Sequence, residues 1–132
     1  MKQLNAVAMG NIGRWINEVH ARDAHQAALL FSGNGFSFIP TFQNEVITTF
    51  EKAEEYYDCH FFPTKPTVTV SHQHVRLIGD GAYTIAGMYE IEMNVGEGRG
   101  VAIGSFTQNW VLEDGVWVKS HFHSSPRGSG PS

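Results

Sequence analysis

His121 and His123 close the run Trp110-Val-Leu-Glu-Asp-Gly-Val-Trp-Val-Lys-Ser-His-Phe-His-Ser-Ser125, and His72 and His74 form a second pair with the same spacing. On a strand, residues two apart point the same way, and imidazole nitrogen is a good zinc ligand. The strand order derived below separates the two pairs by three strand spacings, roughly 14 Å, which one ion cannot bridge. No metal is therefore expected, and the histidines are assigned to a pocket rim or a subunit interface. Nucleophile chemistry lacks its usual surroundings. Ser124 and Ser125 are adjacent and so face apart, and no Gly-x-Ser-x-Gly elbow occurs. Cys59 and His60 are neighbours on a helix and do not face each other. Glu51, Glu54, Glu55 and Asp58 cluster on that same helix as a solvated face. No long strand carries an inward carboxylate, so proton transfer next to carbon has no evident general base. The reading leans away from catalysis, and no cofactor is expected.

Positioning these residues falls to a helical first half and a stranded second half. Leu4, Val7, Ala8, Ile12, Trp15, Ile16 and Val19 recur at steps of three and four, which predicts an amphipathic helix over residues 3–20, with Asn11, Arg14, Asn17 and Glu18 largely opposite. Asp23 is a fitting N-cap for a second helix, Ala24–Phe31. Phe36–Pro40 reads as a short edge strand, since Pro40 limits pairing, and Glu45–Thr48 as another. Thr48 and Glu51 have capping-box spacing, which starts a helix reaching about Phe62 and ended by Pro63 and Pro66. Four long strand-like segments follow: Thr67–Ile78, Ala82–Val95, Arg99–Glu113 and Val116–Ser124. Their connections are short and glycine-bearing, and Asp114-Gly115 is a strong two-residue hairpin signal. Short links dictate an antiparallel meander. Gly87 and Gly104 let the long strands bend.

The expected fold class is α+β, N-terminal helices wrapped by a strongly curved antiparallel sheet, in one domain spanning residues 1–125 with a flexible tail at 126–132. The 132 residues suffice for a single core, and 42% apolar with 17% charged residues excludes disorder. A formal net charge of -4 disfavours nucleic-acid and anionic-membrane partners. The single cysteine excludes an intrachain disulfide and a thiolate metal cage. No signal-like start and no apolar run of membrane-spanning length is present, so a cytoplasmic location is expected.

Alternation sorts the faces. Tyr83, Ile85, Gly87, Tyr89, Ile91 and Met93 share the core side of one strand, with Glu90, Glu92 and Asn94 opposite. Phe106, Gln108, Trp110 and Leu112 share the core side of the next. Tyr89 and Gln108 are thus polar groups among aromatics, either satisfying buried partners or serving a pocket. On the last strand, Trp117, Lys119, His121 and His123 fall on one face, with Val116, Val118, Ser120, Phe122 and Ser124 on the other. Neither face is cleanly apolar, which fits a strand half-covered on both sides.

Three motifs carry a resemblance: His74-Val-Arg-Leu-Ile-Gly-Asp80, then Arg99 with Phe106-Thr107 and Trp110, then Asp114-Gly-Val-Trp117 leading to His121-Phe-His-Ser-Ser125. With Trp15, Arg22-Asp23 and Ile39-Pro-Thr41, this resembles the association (hub) domain of calcium/calmodulin-dependent protein kinase II and its stand-alone bacterial relatives. They belong to the nuclear transport factor 2-like superfamily, with the SnoaL-like and ketosteroid isomerase-like proteins. The resemblance implies a cone of curved sheet around helices, and self-assembly through the sheet face into dimers or rings. It also exposes departures. The arginines that line the kinase hub's small-acid pocket correspond to Tyr89, Gln108 and Ser124, so anion-binding charge would have to come from Arg99 or Arg127. The isomerase aspartate before a proline corresponds to Ile39, which argues against that chemistry. Fold alone does not transfer function.

Two functional readings result. In the first, the chain is a self-associating, non-catalytic hub-like module, its partner itself, with Glu90, Glu92, Val118, His121 and His123 at the contact. In the second, it binds or transforms a small apolar organic molecule bearing a carbonyl, in a pocket formed by Trp15, Phe38, Tyr89, Phe106, Gln108, Trp110 and Ser124.

Overall fold

Apolar residues at helical steps drive the first element, α1 (Lys2–Ala21), whose Ala8, Ile12, Trp15 and Val19 are buried against the sheet. The computed structural model describes residues 2–129. Asp23 caps α2 (Ala24–Ala28) by accepting from the Gln26 N–H, as expected, but the helix ends three residues early. The chain then turns so that Ser32 N–H donates to the Lys119 carbonyl and Lys119 N–H to Leu30, which pins this segment beside the sheet. The strand β1 (Ser37–Ile39) follows. The segment expected as a second short strand contributes one bridge, Ile47 to Phe38.

Helix α3 (Phe50–Tyr56) is capped by Thr49, whose hydroxyl accepts from Lys52 N–H; the cap thus lies one residue after the position expected. The helix does not continue regularly to Phe62. It widens into a π turn, Tyr57–Phe61, and tightens into a 3₁₀ turn, Phe62–Thr64, before Lys65 leaves in the left-handed region. The widened turn buries both Tyr57 and Phe61 beside Tyr56.

The sheet comprises β1, β2 (Thr67–Gly79), β3 (Ala82–Val95), β4 (Gly98–Glu113) and β5 (Val116–Ser129), in the order β1-β5-β4-β3-β2. The meander β2 to β5 is antiparallel, while β1 lies parallel to β5 at the edge. Asp114 and Gly115 both have positive φ, 50° and 80°, the geometry of a tight hairpin turn. β5 pairs with β4 as far as Ser129, so residues 126–129 of the expected tail are strand; residues 130–132 lie outside the described residues.

Two bulges correct the alternation read from sequence. Asn109 pairs with His121 but Trp110 with Lys119, leaving Ser120 as an extra residue on β5. An extra residue reverses the facing of everything after it. Trp117 and Lys119 therefore point inward, and so do Phe122 and Ser124, while His121 and His123 join Val116 and Val118 outside. A second bulge lies between Ser71 and His74, where His72 has φ 53°. It turns Val68, Val70, Gln73 and Val75 toward the helices. His72 and His74 consequently do not form a regular strand pair. Leu112, expected in the core, is 46% exposed at the hairpin end of the sheet, and Asn11, expected on the polar side of α1, is buried with its amide donating to Tyr83.

Two glycines fit the curved sheet to its aromatics. Tyr89 pairs with Gly104 and Gly87 with Phe106, so each ring lies across a residue without a side chain. A Cβ on Gly104 would collide with the Tyr89 hydroxyl and the Ser125 carbonyl, and one on Gly87 would come within 2.9 Å of the Phe106 ring.

Candidate functional site

Inside the cone, α1, β1, the π turn and strands β3 and β5 line a narrow, partly open pocket. Its walls are aromatic: Trp15, Phe38, Tyr56, Tyr57, Phe61 and Phe122, with Ile91. Phe38 stacks on Phe122 at 5.2 Å, and Trp15 meets Phe122 edge-on at 5.3 Å. The polar lining is Thr41, Ser124 and Tyr89, and the Thr41 and Ser124 hydroxyls are hydrogen-bonded to each other.

Three polar atoms at this pocket are buried without a hydrogen-bond partner: Trp15 Nε1, the Tyr57 hydroxyl and the Tyr89 hydroxyl. The Tyr57 hydroxyl lies near Trp15, and that of Tyr89 near Ser124 and Thr41, but outside hydrogen-bonding geometry. Burial raises the pKa of both tyrosines, so both hydroxyls keep their protons at neutral pH and can donate. No Asp or Glu belongs to the described buried residues. The pocket thus offers neutral donors to an acceptor and no carboxylate base.

Of the seven pocket residues expected from sequence, Trp15, Phe38, Tyr89 and Ser124 line this space, whereas Phe106, Gln108 and Trp110 lie deeper. Gln108 is fully buried; its carbonyl accepts from Trp110 Nε1 at 2.8 Å, and its amide nitrogen has no partner. Arg99 is exposed and donates to Asn94 and the Glu92 carbonyl of β3 and to the Lys65 carbonyl after the 3₁₀ turn, and Arg127 is exposed; neither lines the pocket. Thr41, Tyr56, Tyr57, Phe61, Ile91 and Phe122 complete the lining. Phe122 was hidden from alternation by the Ser120 bulge, and Tyr57 and Phe61 gain their positions from the π turn.

Sequence reasoning also missed Lys119. Its side chain is 0% exposed, and its amine lies 4.4 Å from the Phe31 ring centroid, 4.8 Å from Phe122, 5.7 Å from Trp15 and 5.8 Å from Trp110. The amine has no hydrogen-bond partner. Burial, helped by nearby Arg14, lowers its pKa well below the ordinary lysine range. The Asp114-Gly115 turn was the available signal: it sets Leu112 opposite Trp117 and hence Trp110 opposite Lys119. Above it, Arg14 donates to the Trp117 carbonyl and to Asn11, which donates to Tyr83, whose pKa burial pushes up to about 12.

The opposite face of the sheet carries the other expected set. Its central rows read Met88–Ser105–Ser125, Ala86–Thr107–His123, Thr84–Asn109–His121 and Val111–Val118. None of these residues is Asp, Glu, Lys or Arg. Glu90 and Glu92 are exposed in the next rows, opposite Ile103 and Val101, and border the uncharged area. His121 Nδ1 is hydrogen-bonded to the Ser37 hydroxyl at 2.7 Å, and its ring centroid lies 6.5 Å from that of His123. Partial burial, then the neighbouring His123, lowers the His121 pKa. Among the described residues, no group of three or more His, Cys, Asp or Glu is placed to hold a metal ion. No described helix is long and apolar enough to cross a membrane.

A curved sheet closing over helices, with an aromatic pocket in its concavity, is the cystatin-like fold seen in nuclear transport factor 2-like proteins. A structure from Novosphingobium aromaticivorans described in those words superposes with a TM-score of 0.78, covering 95% of this chain and 82% of that one at 9% identity. The sequence profile of the calcium/calmodulin dependent protein kinase II association domain matches residues 7–128, and the chain belongs to that family. A Xanthomonas campestris structure assigned to the same domain is 24% identical, with a TM-score of 0.83 over 92% of this chain and 85% of that one. Hexachlorocyclohexane dehydrochlorinase from Novosphingobium barchaimii shares the fold at 14% identity, with a TM-score of 0.80 over 97% and 89%. No curated protein sequence matches the chain.

Proposed function

We propose that this chain is a self-associating module whose contact surface is the outer face of β3, β4 and β5. The uncharged central rows carry this reading. The solvent face of an antiparallel sheet ordinarily alternates into charged and polar residues. Here Met88, Ala86, Val111 and Val118 are interleaved with Ser, Thr, Asn and two histidines, and His121 is held in place by Ser37. Family membership supports a second copy as the occupant. A symmetric pairing would set this face against itself, since two-fold contacts are isologous. Sedimentation velocity tests the proposal. Wild type is expected to sediment as an oligomer and Val118→Glu as a smaller species, because a carboxylate facing its own copy is repelled and desolvated. An unchanged oligomer in Val118→Glu and in His123→Glu would refute this face as the contact.

A second role is favoured by the three unpartnered groups of the pocket. Buried polar groups normally have partners, and the hydroxyls of Tyr57 and Tyr89 with the indole N–H of Trp15 are suited to a carbonyl oxygen in an otherwise apolar ligand. Ligand-observed NMR with small ketones and aldehydes is expected to show binding that weakens in Tyr89→Phe. Binding unaffected by that change and by Tyr57→Phe would remove the pocket from the account.

A further inference from the structure

We propose that Lys119 is an amine nucleophile that condenses with a small aldehyde or ketone admitted through the pocket. This deepens the pocket reading and rests on it. The geometry that carries it is the shared wall. Trp15 and Phe122 line the pocket, and the same two rings lie 5.7 and 4.8 Å from the Lys119 amine. An unpaired lysine amine at the centre of a core is costly in its charged form. No carboxylate is buried with it among the described residues, and its nitrogen has neither donor nor acceptor engaged. Desolvation of this kind is how a lysine becomes a neutral nucleophile. The depressed pKa agrees with that state. Gln108, in the adjoining cross-strand pair on the same face, has an amide N–H₂ without a partner and supplies a neutral donor for a carbonyl oxygen.

The step balances without a further reactant. The lone pair of the neutral amine adds to the carbonyl carbon, and the π electrons move to oxygen. Oxygen takes up a proton and nitrogen releases one, giving a carbinolamine. Loss of one water then leaves a carbon–nitrogen double bond, an imine of Lys119. Access requires the Phe122 ring to move.

The test is reductive trapping of the wild-type protein at neutral pH with benzaldehyde and cyanoborohydride, mapped by peptide mass spectrometry. Benzaldehyde binding is followed separately by ligand-observed NMR. The expected result is an N-benzyl adduct on Lys119 forming at least about tenfold faster than on exposed Lys52 and Lys65, since desolvation leaves its amine neutral and nucleophilic. The adduct should be absent in Lys119→Met while binding persists. Binding with adducts confined to exposed lysines would overturn the nucleophile and leave the pocket standing; an ammonium held by the four rings predicts that outcome. Neither binding nor a Lys119 adduct would overturn both.

Discussion

The two faces of the same sheet solve opposite problems. The inner face is crowded: Tyr89 lies over Gly104, Phe106 over Gly87, and Trp110 faces Lys119. Its polar atoms include donors that no acceptor satisfies. The outer face is nearly free of charge across three strands, with histidines where a water-facing sheet would carry lysine or glutamate. On the proposed reading the inner face holds something small and the outer face a second copy. The Ser120 bulge separates the two roles, because it keeps Phe122 and Ser124 inside and puts His121 and His123 outside.

The largest effect is expected from disturbing the inner face at its tightest point. Gly104→Val forces a side chain into the Tyr89 hydroxyl and the Ser125 backbone, and should cost about 3 kcal/mol, read by urea denaturation. A loss below about 0.5 kcal/mol would mean that the ring is not confined as described. On the outer face, Val118→Glu should weaken association by at least about 2 kcal/mol without comparable loss of protomer stability, measured by sedimentation over a concentration series. Lys119→Met should raise stability by about 1–3 kcal/mol at neutral pH, because it removes a buried amine while keeping volume.

The same lysine predicts a slope. Its folded pKa lies below the ordinary 10.5, so between the two values the unfolded chain binds the extra proton, and wild-type stability rises with pH toward 10.5. Lys119→Met should lack that rise. The smallest effect is expected from His121. Its pKa is also depressed, so the unfolded chain protonates first and stability falls as pH drops below the ordinary 6.5. Association should weaken in the same range, since protonation adds charge to an uncharged contact. An identical assembly mass at pH 7.5 and 5.5 would exclude a role for His121 in the contact.

Much of the architecture was legible because glycine-bearing turns fix register. Asp114-Gly115, Gly96-Glu97 and the Gly79–Gly81 turn define the meander, and the apolar stripe of α1 defines the helix that fills it. The bulges were not legible. Ser120 and His72 are ordinary strand residues, and an extra residue leaves no compositional mark when no glycine is needed. That silence cost the facing of Phe122 and Ser124 and split Val118 from His121 and His123, which the folded sheet reunites on one face. The π turn at Tyr57–Phe61 was equally hidden, since it reflects how the end of α3 packs rather than a residue preference. Lys119 could have been found by carrying the hairpin register four residues back from the turn.

Whether the outer face meets a second copy is tested most directly by solution mass at neutral pH, from light scattering on a sizing column. The protomer mass is 14.6 kDa. Wild type is expected at twice that value or a higher multiple, falling in Val118→Glu. A wild-type protein that elutes as a 14.6 kDa monomer at high concentration would contradict it.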